Sequence, residues 1–282
     1  MDTLKNVYEN SFNSIDEIMK KYGNTNLTQE DYPKEWKGFR ELVLVDRVQE
    51  CEDIVSFYFK SKDGKKLINH KPGQYLPIKI KTNDPKYKEE IRTYSLSMKP
   101  NEHIYRISVK KVLGGLISTY LHENLKVGDI VNTMMPTGIF TLKDADKDRN
   151  IVLISAGIGI TPVLSMLYEG VNTFENIYFI QAVQNSKIQP FGYDVEKIRE
   201  GSSLKSYVFY SNPLDEDIQG KDYDFTGYIN KEWIKDNLPL DAEFYFCGPP
   251  PFMKILNKSL KELGVKKENI NFEFFGKPED ME

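Results

Sequence analysis

The stretch Ile151-Val152-Leu153-Ile154-Ser155-Ala156-Gly157-Ile158-Gly159-Ile160-Thr161-Pro162 decides how the second half of this 282-residue chain reads. Ile151 to Ser155 is a continuous uncharged run, as expected of a strand buried on both faces. Two glycines follow, then Thr161 and Pro162, residue types suited to a helix N-cap and a first helical position. Glycine lets backbone approach a bound group closely, and the free N–H groups of a helix start attract anions such as a pyrophosphate. A tight strand-to-helix turn with no ligand uses the same residues. No charge falls between Ile151 and Tyr168. A membrane span needs about 20 mostly apolar residues, and glycines, serines, a threonine and a proline break this run, so a strand–turn–helix unit is expected instead.

Downstream, helical and β-rich segments alternate. Helices are expected over Pro162–Tyr168, Phe191–Glu200, Lys231–Asn237 and Pro250–Leu263, and strands over Ile177–Val183, Leu204–Tyr210, Glu243–Cys247 and Asn271–Phe275. Alternating βα units imply a parallel sheet covered on both faces. Upstream the period differs. Glu41–Val48, Ile54–Phe59, Tyr75–Ile80, Arg92–Ser97, His103–Val109 and Asp129–Thr133 are short β-rich runs punctuated by Asp63-Gly64, Lys71-Pro72-Gly73 and Val127-Gly128-Asp129, with one short helix near Ser118–Asn124. That pattern argues a barrel or sandwich. Before it, Leu4, Val7, Tyr8, Phe12, Ile15, Ile18 and Met19 recur at helical spacing. This leader must pack on the rest, bind a partner or stay mobile. The expected divisions are 1–36, a helical leader; 37–145, a β domain; and 146–282, an α/β domain.

Composition excludes several classes. With 40% hydrophobic and 12% aromatic residues the chain is not disordered. Thirty-eight basic against 42 acidic residues give a net charge of −4, which argues against a nucleic-acid partner. Cys51 and Cys247 cannot build a disulfide framework or a four-cysteine metal site, and His70, His103 and His122 lack metal-ligand spacing, so no metal is expected. The start MDTLKNVYEN lacks a secretion signal, so the expectation is a cytoplasmic protein without a transmembrane segment. Charge is uneven: residues 37–142 are net +6 and residues 143–282 net −7. Either an anionic ligand or acidic partner meets the β half, or this is surface variation.

Three further motifs carry chemistry. Arg92-Thr93-Tyr94-Ser95 lies on a β run whose alternation puts Arg92 and Tyr94 on one face, Thr93 and Ser95 on the other. A guanidinium fork suits phosphate, an aromatic suits a planar ring, and a hydroxyl can donate to a ring nitrogen; an ordinary amphipathic strand reads the same. Gly114-Gly115-Leu116-Ile117-Ser118 opens a helix and is a second phosphate cradle or a simple capped turn. Phe246-Cys247-Gly248-Pro249 places a lone cysteine at a strand end, where sheets of this type bind ligands, although a lone cysteine also serves as a small buried hydrophobe.

In this order, Arg-x-Tyr-Ser, Gly-Gly-x-x-Ser, Gly-x-Gly-x-Thr-Pro and Cys-Gly-Pro resemble the ferredoxin–NADP reductase superfamily, and within it the reductase half of bacterial flavohaemoglobins. Lys71-Pro72-Gly73-Gln74-Tyr75, Pro136-Thr137-Gly138 and Phe272-Glu273-Phe274-Phe275-Gly276 add to a likeness covering about residues 36–276. The resemblance implies a β plus α/β fold: an antiparallel six-stranded flavin-binding barrel, then a parallel-sheet nicotinamide-binding domain. It implies FAD, and NADH or NADPH as electron donor. Tyr75, Arg92, Thr93, Tyr94 and Ser95 match FAD contacts, Arg92 at the pyrophosphate, Tyr94 at the isoalloxazine and Ser95 at flavin N5. Val109, Lys110, Gly115, Leu116, Ile117 and Ser118 match further FAD contacts. Gly157, Ile158, Gly159, Ile160, Thr161 and Pro162 match the nicotinamide dinucleotide loop, with Cys247, Gly248 and Pro249 near the nicotinamide. Glu273, Phe274 and Phe275 match the strand facing the flavin. Ser95, Glu273 and Cys247 are the implied catalytic set.

The chain departs from that pattern. Only 36 residues precede the barrel where a flavohaemoglobin carries a globin, and cysteines for an iron–sulfur cluster are missing. The expectation is therefore an FAD-dependent NAD(P)H oxidoreductase serving a separate acceptor: a redox protein, acidic carriers among them, a haem protein or a small oxidant. The alternatives are an electron-transfer subunit of an obligate complex and a non-catalytic sensor. NADH is expected to serve at least as well as NADPH, since Tyr210-Ser211-Asn212-Pro213 has no cation and only Lys187 and Lys205 stand within reach in sequence.

Overall fold

The computed structural model describes residues 36–276, so the expected leader, Trp36 apart, lies outside the described residues. The chain divides into two compact units, the division falling between Ile139 and Phe140.

The first unit contains β1 (Arg40–Cys51), β2 (Ile54–Ser61), β3 (Tyr75–Ile80), β4 (Ile91–Ser95), β5 (Tyr105–Lys110), α1 (Leu116–Glu123) and β6 (Ile130–Thr133). All pairings are antiparallel, in the order β4-β3-β6-β1-β2-β5. A bridge between Leu96 and Ile107, supported by Ser97 N–H donating to the Arg106 carbonyl at 2.9 Å, joins the two edges into a barrel. Alternate residues fill it: Val55, Phe57 and Phe59 from β2, Leu76, Ile78 and Ile80 from β3, Tyr105, Ile107 and Val109 from β5. Ile117 and Leu121 of α1 join the same core. β1 is longer than its hydrophobic run suggests because bulges at Leu44/Asp46 and Gln49/Cys51 bend it along the barrel wall.

The second unit contains β7 (Asn150–Ala156), α2 (Ile160–Thr173), β8 (Asn176–Val183), α3 (Gly192–Glu200), β9 (Lys205–Tyr210), β10 (Phe225–Thr226), α4 (Lys231–Asn237), β11 (Glu243–Cys247), α5 (Pro250–Glu262) and β12 (Ile270–Glu273). Six parallel strands lie in the order β10-β9-β8-β7-β11-β12. Both faces of β7 are buried. Ile151 and Leu153 pack with Val163 and Leu167 of α2, while Val152 and Ile154 pack with Ile234 of α4 and Leu256 of α5. The two-residue β10 has no hydrophobic run to announce it; Phe225 is held by stacking on Phe209 at 4.9 Å and by the edge of Trp233. Phe140 and Leu142 pack into the second core, and Lys143 N–H donates to the Tyr245 hydroxyl at 3.1 Å. Residues 140–145 therefore belong with the sheet unit, ahead of the polar segment where the sequence suggested a boundary.

Among the described residues no helix is long and apolar enough to cross a membrane. Phe57 is fully buried at the barrel centre. Phe57→Ala should cost about 3–5 kcal/mol of stability, measured by urea unfolding followed by aromatic fluorescence.

Candidate functional site

In open parallel sheets, ligands bind beyond the carboxyl ends of the strands where the strand order reverses. Here that place lies between β7 and β11. Ser155 is in register with Cys247, so Gly157 follows one strand and Gly248 the other. Gly157 has φ +53°, a left-handed conformation that side chains disfavour. A Cβ on Gly159 would lie 2.6 Å from the Gly248 nitrogen and closer still to the Cys247 carbonyl. A Cβ on Gly248 would lie 2.9 Å from Ala156 Cβ and 2.6 Å from the Phe252 ring. The two turns therefore interlock backbone to backbone.

The helix start differs from the sequence expectation. A 3-10 turn over Gly157–Gly159 leads into α2, and Gly159 occupies the N-cap. Thr161 is not the cap; its Oγ1 donates to the Ile158 carbonyl at 3.1 Å. Pro162 stands third in the helix, within the first turn where a missing N–H costs little. Gly159, Ile160, Thr161 and Pro162 are buried, so the half-buried Gly157 and Ile158 are left to meet a ligand.

Glu273 ends β12 in register with Cys247. Its Oε2 is sealed from water with no hydrogen-bond partner, and burial pushes its carboxyl up to about 7. The Cys247 thiol is fully buried in the core beside Leu153 and Ile160; burial, with the Glu273 carboxylate second, raises its pKa well above the ordinary value. It stays protonated, and what Cys247 offers the glycine turn is its carbonyl. β12 stops at Glu273, two residues short of the expected end, because its partner β11 stops at Cys247. Phe274 and Phe275 lie beyond the ladder, Phe275 exposed. Pro249 caps α5.

In the barrel, Tyr94 lies opposite Leu76 and Arg92 opposite Ile78, both interior residues, while Thr93 and Ser95 lie opposite Pro77 and Tyr75. The expected alternation is present. Burial raises the half-buried Tyr94 phenol to about 12. Arg92 is exposed and paired with Glu90 at 2.6 Å. Ser95 Oγ is sealed from water and has no partner. Tyr75 exchanges both backbone hydrogen bonds with Thr137 at 2.9 Å. A Cβ on Gly138 (φ +123°) would come within 3.0 Å of the Tyr75 ring, so this glycine clears the ring's place. In the sequence Gly138 entered only with the Pro136-Thr137-Gly138 likeness; its service to Tyr75 needs the barrel.

Val109 and Ile117 point into the core, which leaves their backbone to any ligand. Lys110 pairs with Asp53 at 3.0 Å. Gly115 is the N-cap of α1, whose first residue lies two positions before the expected start at Ser118, and Ser118 Oγ instead accepts the Val112 N–H at 3.3 Å. Leu116, half-buried, is the first helical residue.

A polar chain beyond β8 and β9 had no sequence signal. Gln181 Nε2 donates to the Pro190 carbonyl at 2.9 Å, Gln189 Nε2 to Gln181 Oε1 at 3.2 Å, and the Tyr210 hydroxyl to Gln189 Oε1. Tyr210 stacks on Tyr223 at 4.7 Å. Of the two lysines expected within reach, Lys205 is ruled out: it opens β9 at the amino end of the sheet and bonds the Tyr178 hydroxyl at 3.1 Å. Lys187 stands beyond β8 but beside Glu216 at 3.4 Å.

These features suit a flavin and a dinucleotide: a sealed, partnerless hydroxyl at Ser95, a partnerless carboxyl oxygen at Glu273, and glycine turns that admit no Cβ. A closed antiparallel barrel joined to such a sheet defines a two-domain flavin–nicotinamide oxidoreductase. The oxidoreductase FAD-binding domain family matches residues 41–142, and the oxidoreductase NAD-binding domain family residues 153–258. A flavohemoprotein of Bacillus thuringiensis subsp. konkukian is 42% identical over 250 residues, 86% of this chain and 62% of that protein. The chain thus spans about three fifths of the length of the curated relatives it matches. The flavohem-like FAD/NAD binding domain of nitric oxide dioxygenase from Vibrio cholerae matches with a TM-score of 0.77 at 32% identity, covering 86% of this chain and 100% of that one. Flavohemoglobin from Malassezia yamatoensis, with bound FAD and heme, gives 0.74 at 28% identity, covering 85% and 61%. The chain belongs to the FAD- and NAD-binding oxidoreductase domains of the flavohem-like kind. FAD and a nicotinamide nucleotide are its cofactors.

Two outcomes follow for stability. Gly159→Ala should cost about 1–3 kcal/mol by overpacking backbone against backbone, measured by chemical unfolding. Glu273 keeps its proton in the folded state up to about pH 7, whereas the unfolded carboxyl loses it near its ordinary 4.5. The native state therefore binds more protons between those values, and stability falls as pH rises through that window. Glu273→Gln should flatten the slope in unfolding titrations between pH 4 and 8.

Proposed function

We propose that this chain oxidises NADH and passes the electrons through FAD to a separate acceptor, a haem protein foremost. The observation that carries the reading is Ser95, a buried hydroxyl without a protein partner on the strand that bears Arg92 and Tyr94. Bound FAD supplies the chemistry, accepting a hydride from the nicotinamide and releasing electrons onward.

The chain's own residues bind and position. Arg92 holds the pyrophosphate, exchanging Glu90 for phosphate oxygens. Backbone N–H groups at the start of α1 share that anion. Tyr94, whose phenol stays neutral at physiological pH, presents a ring face to the flavin. Ser95 Oγ donates to a flavin ring nitrogen. The Gly157–Gly159 turn takes the dinucleotide phosphates on backbone N–H groups. Glu273 Oε2 can hold or give up a proton near neutrality.

The donor preference rests on charge. A 2′-phosphate calls for arginine or lysine. Lys187 is already matched by Glu216, and the neighbouring Asp217 accepts the Leu214 N–H at 2.9 Å, so an acidic loop faces that position. The haem acceptor rests on the flavohemoprotein relatives, and the +6 charge of residues 37–142 favours a partner with an acidic face.

The purified chain should be yellow, bind one FAD and reduce an artificial dye with NADH at least as efficiently as with NADPH. Arg92→Ala should weaken FAD binding roughly 10- to 150-fold, since a hydrogen bond to a charged group contributes about 1.5–3 kcal/mol. Ser95→Ala should keep FAD but slow dye reduction about tenfold, the effect of one hydrogen bond of about 1.4 kcal/mol. Unchanged FAD affinity in the first variant, together with an unchanged rate in the second, would refute the assignment.

A further inference from the structure

Between β3 and β4 the chain makes an excursion that a tight hairpin would not need. Asp84 organises it: its Oδ1 accepts the Lys86 N–H at 2.9 Å, and its carbonyl accepts the Lys88 N–H at 2.9 Å. The turn presents Tyr87, whose ring packs against Tyr120 of α1 with centroids 4.7 Å apart. The loop is thus tied to α1. A cavity of about 420 Å³ lies between the end of β3, the start of this loop, α1 and the turn that leads into β6. Pockets that bind small molecules run from about 300 to 1,000 Å³.

Its lining combines a ring, an apolar wall and polar groups. Tyr120 is the ring, Ile80, Leu125 and Ile130 the wall, and Asn83 and Asp129 carry the polar groups. Burial, then the nearby Asp129, Tyr87 and Asp84, raises the Tyr120 phenol above its ordinary value, so the ring stays neutral. Asp129 Oδ2 accepts the Lys126 N–H at 2.8 Å, which leaves its other oxygen for a ligand hydroxyl. Thr82 Oγ1 is committed to the Asp84 N–H at 3.1 Å, whereas the exposed Asn83 carboxamide can both donate and accept. Lys81 is paired with Glu41, so among the described residues the lining offers no uncommitted cation to a phosphate. A ring for stacking, an amide for the edge of a heterocycle and a carboxylate for a diol together suit a purine nucleoside.

Its place in the barrel says whose nucleoside. On the β3–β4 edge Tyr75 lies opposite Ser95 and Ile78 opposite Arg92. Ser95 and Arg92 are about 10 Å apart along β4, and Ile80, at the cavity, is about 7 Å beyond Ile78 in the same direction. The helix agrees: Tyr120 stands about 7.5 Å along the axis of α1 from its Gly115 N-cap. Ser95, Arg92 and the cavity therefore follow one another along one edge, in the order of isoalloxazine, pyrophosphate and adenosine in FAD. We infer that this cavity takes the adenosine of FAD, and that Tyr120, Asn83 and Asp129 make the barrel select FAD over FMN, which has no adenosine. Tyr120 stacks on the adenine, Asn83 bonds its edge, and Asp129 accepts a ribose hydroxyl. The inference rests on the flavin site proposed at Arg92 and Ser95.

Flavin uptake tests this without using activity. The full-length chain is equilibrated with equal FAD and FMN, free flavin is removed, and the bound flavins are separated and measured. The unaltered chain should hold FAD in large excess. Tyr120→Ala should lower the FAD-to-FMN ratio roughly 5- to 150-fold, the effect of one base–aromatic stack, and Asn83→Ala about two- to tenfold, the effect of one hydrogen bond. Uptake from FMN alone should stay unchanged in both, which shows an intact barrel. Asn83 is exposed, so its variant decides the matter if Tyr120→Ala fails to fold. Lys88→Ala, on the same loop but outside the lining, should leave the ratio as it was. A ratio unchanged in Asn83→Ala and Tyr120→Ala, an equal fall in Lys88→Ala, or an unaltered chain that takes FMN as readily as FAD overturns the inference and leaves the flavin site at Arg92 and Ser95 standing. An unaltered chain that takes up neither flavin overturns the proposed reaction and this inference together.

Discussion

The contact of Gly159 with the Cys247–Gly248 backbone is the constraint on which the second unit depends. β7 and β11 are neighbours in space but lie almost 90 residues apart in sequence, and each ends in a turn that must pass the other. Any side chain on Gly159 would occupy the Cys247 carbonyl. Because the two turns touch, the N–H groups before α2 and the start of α5 flank one place beyond the sheet. The reversal of strand order makes a crevice there, and the interlocked turns hold its floor at fixed height. Ser155, Cys247 and Glu273 stand side by side at or next to the ends of three adjacent strands.

The barrel solves a different problem. Its sheet closes through one bridge at Leu96, past the end of β4, so β4 itself pairs only with β3. Arg92, Thr93 and Tyr94 thus lie on an open seam rather than within a continuous ladder. Strand edges are liabilities unless something covers them, and α1, whose N-terminus carries the Gly114-Gly115 turn, packs into the same barrel core.

Much of this could be read from the sequence because local signals agreed with the global fold. The strand Ile151–Ser155 and the glycines after it needed no tertiary information, nor did the period-two runs of the barrel. What escaped the sequence depends on contacts between distant residues. β10 is two residues long and exists because Phe209 and Trp233 enclose Phe225. The Gln181–Gln189–Tyr210 chain joins residues of three segments. Thr161 looked like a cap by residue type, but Gly159, pressed against β11, had already turned the chain into its helix. Lys205 looked available until β9 placed it at the amino end of the sheet. In each instance tertiary packing overrode a residue-type preference.

The partnerless polar atoms carry the argument one step further. A buried hydrogen-bonding group left unsatisfied costs about 1–3 kcal/mol, and a fold that has hydrogen-bonded Ser56, Ser97 and Ser108 to one another shows that it can satisfy hydroxyls where nothing else requires them. Ser95 lies on the strand just before Ser97 and is left without a partner. Glu273 could have been an apolar residue on β12; instead burial holds its carboxyl near neutrality, half-way between acid and base at physiological pH. Places where local satisfaction is given up are expected where function is. Two of these atoms, on Ser95 and Glu273, stand at the ends of β4 and β12. A ligand that partnered both groups would stabilise the fold by binding the native state alone.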